Sequence, residues 1–177
     1  MIKGNLYDMK ISACYITKNE SANIAASIES IAASVDEIIV YDTGSEDDTC
    51  CIAEALPKVK VFRGAWCDDF AAARNAALSH ATGDWVVFLD ADERFSEATR
   101  GNLRTVLEKA EGFDALAVKI VNLDVDGEKE KRIDHTYVVR AFRRLPEIRY
   151  VGRIHEHIER EDGALRLGFI PEASLVL

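Results

Sequence analysis

Short apolar runs alternate with helically spaced stripes through the first 110 residues, and this alternation constrains the fold more than any other feature. Ile11–Thr17, β-branched at both ends, reads as a strand. Ile24, Ile28, Ile31 and Val35 then recur at helical spacing, with Asn19 or Ser21 placed to cap that helix. Residues 37–41 (EIIVY) read as a second strand ending in the tight turn Asp42-Thr43-Gly44-Ser45. Ser45 with Asp48 resembles a capping box for a helix that turns Ile52 and Leu56 inward and stops at Pro57. Residues 59–62 read as a third strand, Phe70–His80 as an alanine-rich helix, and 85–89 as a fourth strand after Gly83. Ser96 opens a helix with Leu103, Val106, Leu107 and Ala110 on one face. The pattern predicts a parallel sheet covered on both faces.

Beyond residue 110 the pattern changes. Residues 115–123 alternate in part, Asp126-Gly127 is a hairpin signal, and 136–144 read as the returning strand. Residues 154–158 and 165–170 are shorter strand candidates about Asp162-Gly163. The expected fold class is α/β: a mainly parallel central sheet flanked by helices, with a β-rich C-terminal part. A chain of 177 residues suits one core, so a single domain over 1–177 is expected, with halves at about 9–110 and 111–177. The apolar ending Ser174-Leu175-Val176-Leu177 is the pattern of a piece of something longer.

A net charge of -9 opposes a nucleic-acid surface, because a phosphate backbone would be repelled. It still admits one phosphorylated small molecule if a divalent cation supplies local positive charge. Cys14, Cys50, Cys51 and Cys67 show neither a disulfide frame nor zinc-site spacing, and read as reduced, space-filling residues. Residues 1–5 lack the apolar region of a signal peptide, and no stretch approaches the roughly 20 apolar residues of a transmembrane helix. The expected location is cytoplasmic.

Ligands of open α/β sheets bind outside the carboxyl ends of the strands. Four such ends deliver Thr17, Lys18, Asn19 and Glu20; then Asp42 to Ser45; then Trp66, Asp68 and Asp69; then Asp90, Asp92 and Glu93. In an extended segment Asp90 and Asp92 project to one side, a pair of hard oxygen ligands suited to Mg²⁺ or Mn²⁺. The plainer alternative is that Asp90 caps the next helix and Asp92 is solvated, but the buried strand before them favours a metal site. Asp42 is placed to accept from a ribose hydroxyl or a base N–H, or else to form an Asx turn. Arg74 is placed to pair with a diphosphate or the aspartates, or else with a surface carboxylate. His155 and His157 share one side of an expected strand and Glu156 the other, making His155 a candidate metal ligand and Glu156 a candidate proton acceptor. His80 and His135 have no partner pattern and read as surface residues.

The segments ISACYITKNE, VDEIIVYDTGSEDDT, WCDDFAAARNAAL, ATGDWVVFLDADE and VGRIHEHI resemble family 2 glycosyltransferases of the GT-A fold. The match is to their bacterial branch with K-N-E, D-T-G-S-x-D and D-F-x-x-x-R-N signatures, over residues 9–158. The resemblance implies a nucleotide-diphosphate sugar donor, with uridine as the nucleotide, and Mg²⁺ or Mn²⁺. It implies that Thr17, Asn19, Glu20, Gly44 and Ser45 line the nucleotide pocket and that Asp42 contacts uracil or ribose. Arg74 would then lie near base and diphosphate, Asp90 at the nucleotide–sugar contact, and Asp92 on the metal, with Asp90 and His155 as further metal-side groups. Glu156 is the implied base, catalytic together with Asp92, and the implied outcome is inversion. The first half would hold the nucleotide and the β-rich part would face an acceptor: a glycan, lipid, protein or small molecule. The alternative is a nucleotide-sugar-binding module without transferase activity. A dehalogenase-type phosphatase would carry its D-x-D on the first strand, and a dinucleotide-binding enzyme needs a glycine-rich first turn that Thr17-Lys18-Asn19-Glu20 lacks.

Overall fold

The computed structural model describes residues 9–126 and 129–176. The elements run β1 (Ile11–Thr17), α1 (Ile24–Ile31), β2 (Glu37–Asp42), α2 (Thr49–Glu54), β3 (Val59–Arg63), α3 (Phe70–His80) and β4 (Trp85–Phe88). They continue as β5 (Arg94–Phe95), α4 (Glu97–Glu108), β6 (Ala115–Asp126), β7 (Lys129–Arg143), β8 (Ile148–Val151), β9 (His157–Arg160) and β10 (Leu167–Val176). Eight strands form one sheet in the order β3-β2-β1-β4-β7-β6-β10-β5, and β8 and β9 pair separately. β1 to β4 are mutually parallel, as the alternation predicts, and β10 runs parallel to β6. β7 is antiparallel to both β4 and β6.

Period-two alternation splits the interior into two layers. Ala13, Tyr15, Ile38, Val40 and Val87 face Ile24, Ile28 and Ile31 of α1 and Leu103 and Leu107 of α4. Cys14, Ile39, Val86 and Phe88 face the other way, against Ala71 and Ala77 of α3 and Tyr150 and Ile158 of the β8–β9 pair. Alanines let α3 lie close to the sheet. Gly83 does the same for the chain entering β4: a Cβ there would stand 2.7 Å from the Ser12 backbone nitrogen.

Several local expectations are corrected. Helix α1 begins after Asn23, not at Asn19 or Ser21, because those two residues are drawn to the β2 loop through Ser45 and Asp47. The Ser45–Asp48 capping box does not form, since the Ser45 hydroxyl is given to Asp42. Ser96 does cap α4, accepting from Thr99 N. The strand expected over 154–158 is absent: Gly152 at φ 93° and His155 at φ 57° bend the chain, and β9 starts only at His157. β4 stops at Phe88, one residue early, and β10 is longer than expected. Asp126 pairs with Lys129 as a hairpin requires, while Gly127, residues 1–5 and Leu177 lie outside the described residues.

β7 carries two irregular rungs against β6, one opposite Asn122 and Leu123 and one beside the rim. Leu116 pairs with Ala141 and Ala117 with Val139, which leaves Arg140 as the extra residue of a β-bulge. Among the described residues, no helix is long and apolar enough to cross a membrane.

Candidate functional site

The carboxyl ends of β1, β2 and β4 border a cavity of about 360 Å³, within the size range of small-molecule sites. Its wall includes Thr17, Lys18, Glu20, Thr43, Trp66, Phe70, Arg74, Asp90, Asp92 and Glu156. Asp90 and Asp92 both reach it, though from a turn and not from an extended strand. Four bonds hold the turn: Leu89 N donates to Cys14 O, Glu93 N to Asp90 O, Asp90 N to Glu93 Oε2, and Ser27 Oγ to Glu93 O.

Charges are dense here. Arg74, from α3, donates through Nη2 to Asp90 Oδ1 at 2.9 Å and through Nε to Glu156 Oε1 at 2.6 Å. Its guanidinium also lies over the rings of Phe88 and Tyr150, at 5.4 and 5.5 Å from their centroids. Arg140 contacts Asp90 Oδ2 at 2.6 Å and Glu93 Oε1. Burial opposes ionisation of Asp90, but the guanidiniums of Arg140 and Arg74 outweigh it and hold its carboxyl below the usual range. Glu93 goes the other way: burial first, then the Asp90 charge, raise it despite Arg140. Three carboxylates, Asp90, Glu93 and Glu156, thus share two guanidiniums.

Asp92 differs from the rest. It is exposed, lines the cavity, and its carboxylate makes no hydrogen bond or ion pair among the described residues. No cluster of three or more His, Cys, Asp or Glu suited to a metal occurs among the described residues. The donor set nevertheless fits Mg²⁺ or Mn²⁺ of the kind held by one or two carboxylates plus substrate phosphates. His155 is exposed and its loop turns Glu156, not the imidazole, into the cavity.

The nucleotide-side candidates form a connected loop. Asp42 is buried and accepts from Gly44 N (3.0 Å), Ser45 N (2.9 Å), Ser45 Oγ and Thr17 Oγ1. Burial raises its carboxyl, but the Ser45 and Gly44 hydrogen bonds prevail and lower it. Those four bonds use the roughly four acceptor positions of a carboxylate, so the Asx-turn alternative describes its contacts. Asn19 N donates to Ser45 Oγ while Asn19 Oδ1 accepts from Glu46 N, with Asn19 at φ 57°. Glu20 N donates to Thr49 Oγ1. Thr17 and Glu20 reach the cavity; Asn19, Asp42, Gly44 and Ser45 shape the loop behind it.

The sequence pattern does not single out Arg140, and it places Glu93 only on the rim. A lone cation inside Val138-Val139-Arg140-Ala141-Phe142 was the available signal, since a buried arginine requires partners.

Comparison with known proteins follows the same outline. The profile described as Glycosyl transferase family 2 matches residues 12–167. A TPR repeat-containing protein of Synechococcus elongatus is 35% identical over 150 residues, 85% of this chain and 36% of that protein. The SPbeta prophage-derived glycosyltransferase SunS of Bacillus subtilis is 31% identical over 163 residues, 90% of this chain and 37% of that protein. Among solved structures, S. aureus TarS 1–349 in complex with UDP-GlcNAc superposes with a TM-score of 0.59 at 25% identity, over 68% of this chain and 37% of that one. Glucosyl-3-phosphoglycerate synthase from Mycobacterium tuberculosis, in complex with Mn²⁺, UDP and phosphoglyceric acid, gives 0.55 at 29% identity, over 66% and 44%. The chain therefore spans well under half the length of these proteins.

Proposed function

The chain belongs to glycosyl transferase family 2, with a GT-A-like fold, and from that premise we propose that it transfers a sugar from a UDP-sugar to an acceptor. The observation that carries this reading is the convergence of Arg74, Asp90, Asp92 and Glu156 on one cavity at the carboxyl rim. UDP and UDP-GlcNAc complexes of structural neighbours support the choice of nucleotide.

Binding and orientation belong to the chain's own residues. Thr17, Glu20 and the loop fixed by Asp42, Ser45, Gly44 and Asn19 form the nucleotide side. Asp90 accepts from donor hydroxyls, and Arg74 faces the diphosphate. Asp92, with Asp90 beside it, would hold Mg²⁺ or Mn²⁺, whose positive charge stabilises the departing phosphate. A second cavity of about 480 Å³, lined by Tyr137, Tyr150, Ile158, Leu165 and Leu167, shares Arg74 and Glu156 with the first. The acceptor approaches through it, and Glu156 at the shared wall takes the proton of the attacking group. Attack from the side opposite the leaving phosphate gives inversion. The chain acts in the cytoplasm, where nucleotide sugars are available.

A second reading is favoured by the span of the chain, which covers only 36–37% of the first two relatives: a donor-binding module that needs further residues for transfer. Calorimetry with UDP and Mn²⁺, followed by a donor-hydrolysis assay, tests both. Binding with hydrolysis is the expected result. Binding without hydrolysis supports the module, and a folded sample that binds no uridine nucleotide overturns both.

A further inference from the structure

The structure assigns a positioning role to Arg140: through Asp90, it fixes how the donor sugar is held. The assignment rests on the donor reading above. Arg140 lies one residue beyond the Val87–Ala141 pair, level with the end of β4. It is the surplus residue of the β7 bulge, a device that re-aims a side chain out of the regular alternation.

That side chain is only 8% exposed and completes a closed ring of contacts. Asp90 N donates to Glu93 Oε2, Glu93 Oε1 contacts Arg140 Nη2, and the same nitrogen reaches Asp90 Oδ2. Backbone and side chain of Asp90 are thereby tied to one guanidinium. Arg74 takes the other oxygen, Oδ1, from α3. Each Asp90 oxygen has its own arginine, and the carboxylate plane is fixed between a helix and a strand.

Two observations separate this arrangement from a buried ion pair serving stability alone. The Asp90 side chain is still 39% exposed on the cavity side, so the pairing fixes it without sealing it off. Arg140 Nε is buried with no partner, so the guanidinium faces the carboxylates at the expense of one of its own donors. Two arginines occupy about half of the acceptor positions of a carboxylate and leave the rest for ligand hydroxyls. A lysine does not replace this contact in full, because both bonds come from the terminal Nη2 and an ammonium is a compact, strongly hydrated charge on a flexible stem.

The rival explanation is that Arg140 only neutralises Glu93, which is 2% exposed. Four variants separate the two: R140M, E93Q, R140M/E93Q and R140K. Thermal midpoints are measured alongside affinity and KM for UDP-GlcNAc and UDP-glucose in Mn²⁺. R140M loses both stability and donor affinity. R140M/E93Q regains the midpoint, because the orphaned carboxylate is gone, yet keeps a donor KM at least tenfold above wild type with kcat changed less. R140K, folded, binds donor three- to tenfold more weakly than wild type. Donor affinity that returns with the midpoint in R140M/E93Q, or wild-type KM in folded R140K, overturns the inference. Wild-type protein that binds neither probe overturns the donor reading instead, and this inference falls with it.

Discussion

Asp42 and Asp92 are both rim carboxylates at strand ends, yet their surroundings assign them opposite work. Asp42 holds a buried turn together with four hydrogen bonds, whereas Asp92 stands free in the cavity. Asp42→Ala is expected to lower stability by about 1–3 kcal/mol in urea titration, since it removes the acceptor of two part-buried backbone donors and two hydroxyls. Asp92→Asn is expected to stay within about 0.5 kcal/mol of wild type while reducing donor turnover roughly 100-fold or more. Sequence alone could mark both residues as polar groups at strand ends. It could not tell a saturated carboxylate from a free one, because that depends on how the turn folds Ser45 back and on Thr17 arriving from the end of β1. Arg140 was harder still, as its direction follows from a bulge that no local propensity encodes.

Among the elements, the β/α alternation of the first half was legible because each strand and stripe carries its own period. Residues 154–158 were not: an alternating His155-Glu156-His157 reads as a strand, but positive φ at Gly152 and His155 breaks it. Backbone reversal of that kind leaves its trace in the glycine and nothing in the histidine. Two glycines test how closely elements approach. Gly83→Ala places a methyl against the Ser12 backbone nitrogen and the Trp85 carbonyl, at 2.7 and 2.9 Å, and is expected to cost about 2–3 kcal/mol. Gly101, in the middle of α4, has open space where its Cβ would stand. Gly101→Ala is expected to stabilise by about 0.5–1 kcal/mol, and paired denaturation curves read both signs.

At the scale of the molecule, three parallel strand ends form one wall of the cavity, while α3 and the β8–β9 loop bring Arg74 and Glu156 to it. A ligand there joins parts distant in the chain, so it stabilises the folded state as a unit. Uridine diphosphate with Mn²⁺ at about 100 times its dissociation constant is expected to add roughly 2.7 kcal/mol, a rise of about 5–10 °C in thermal midpoint. No rise at saturating ligand would count against the cavity as the nucleotide site. The hairpin signal gave the reversal of β7 against β6, but sheet order, and above all the insertion of β7 between β4 and β6, was beyond the reach of the sequence, because hydrophobic pattern does not record which neighbour a strand chooses.

The surplus residue in β7 separates two kinds of change. Replacing residue 140 edits one side chain. Removing it would join Val139 to Ala141 with their partners Ala117 and Leu116 unchanged, closing the bulge while residues 129–139 keep their places along β6. The irregular rung thus serves the rim and not the pairing of the sheet: a regular strand would pair as well but leave Asp90 to Arg74 alone, so any graft of the rim onto another sheet must carry it along.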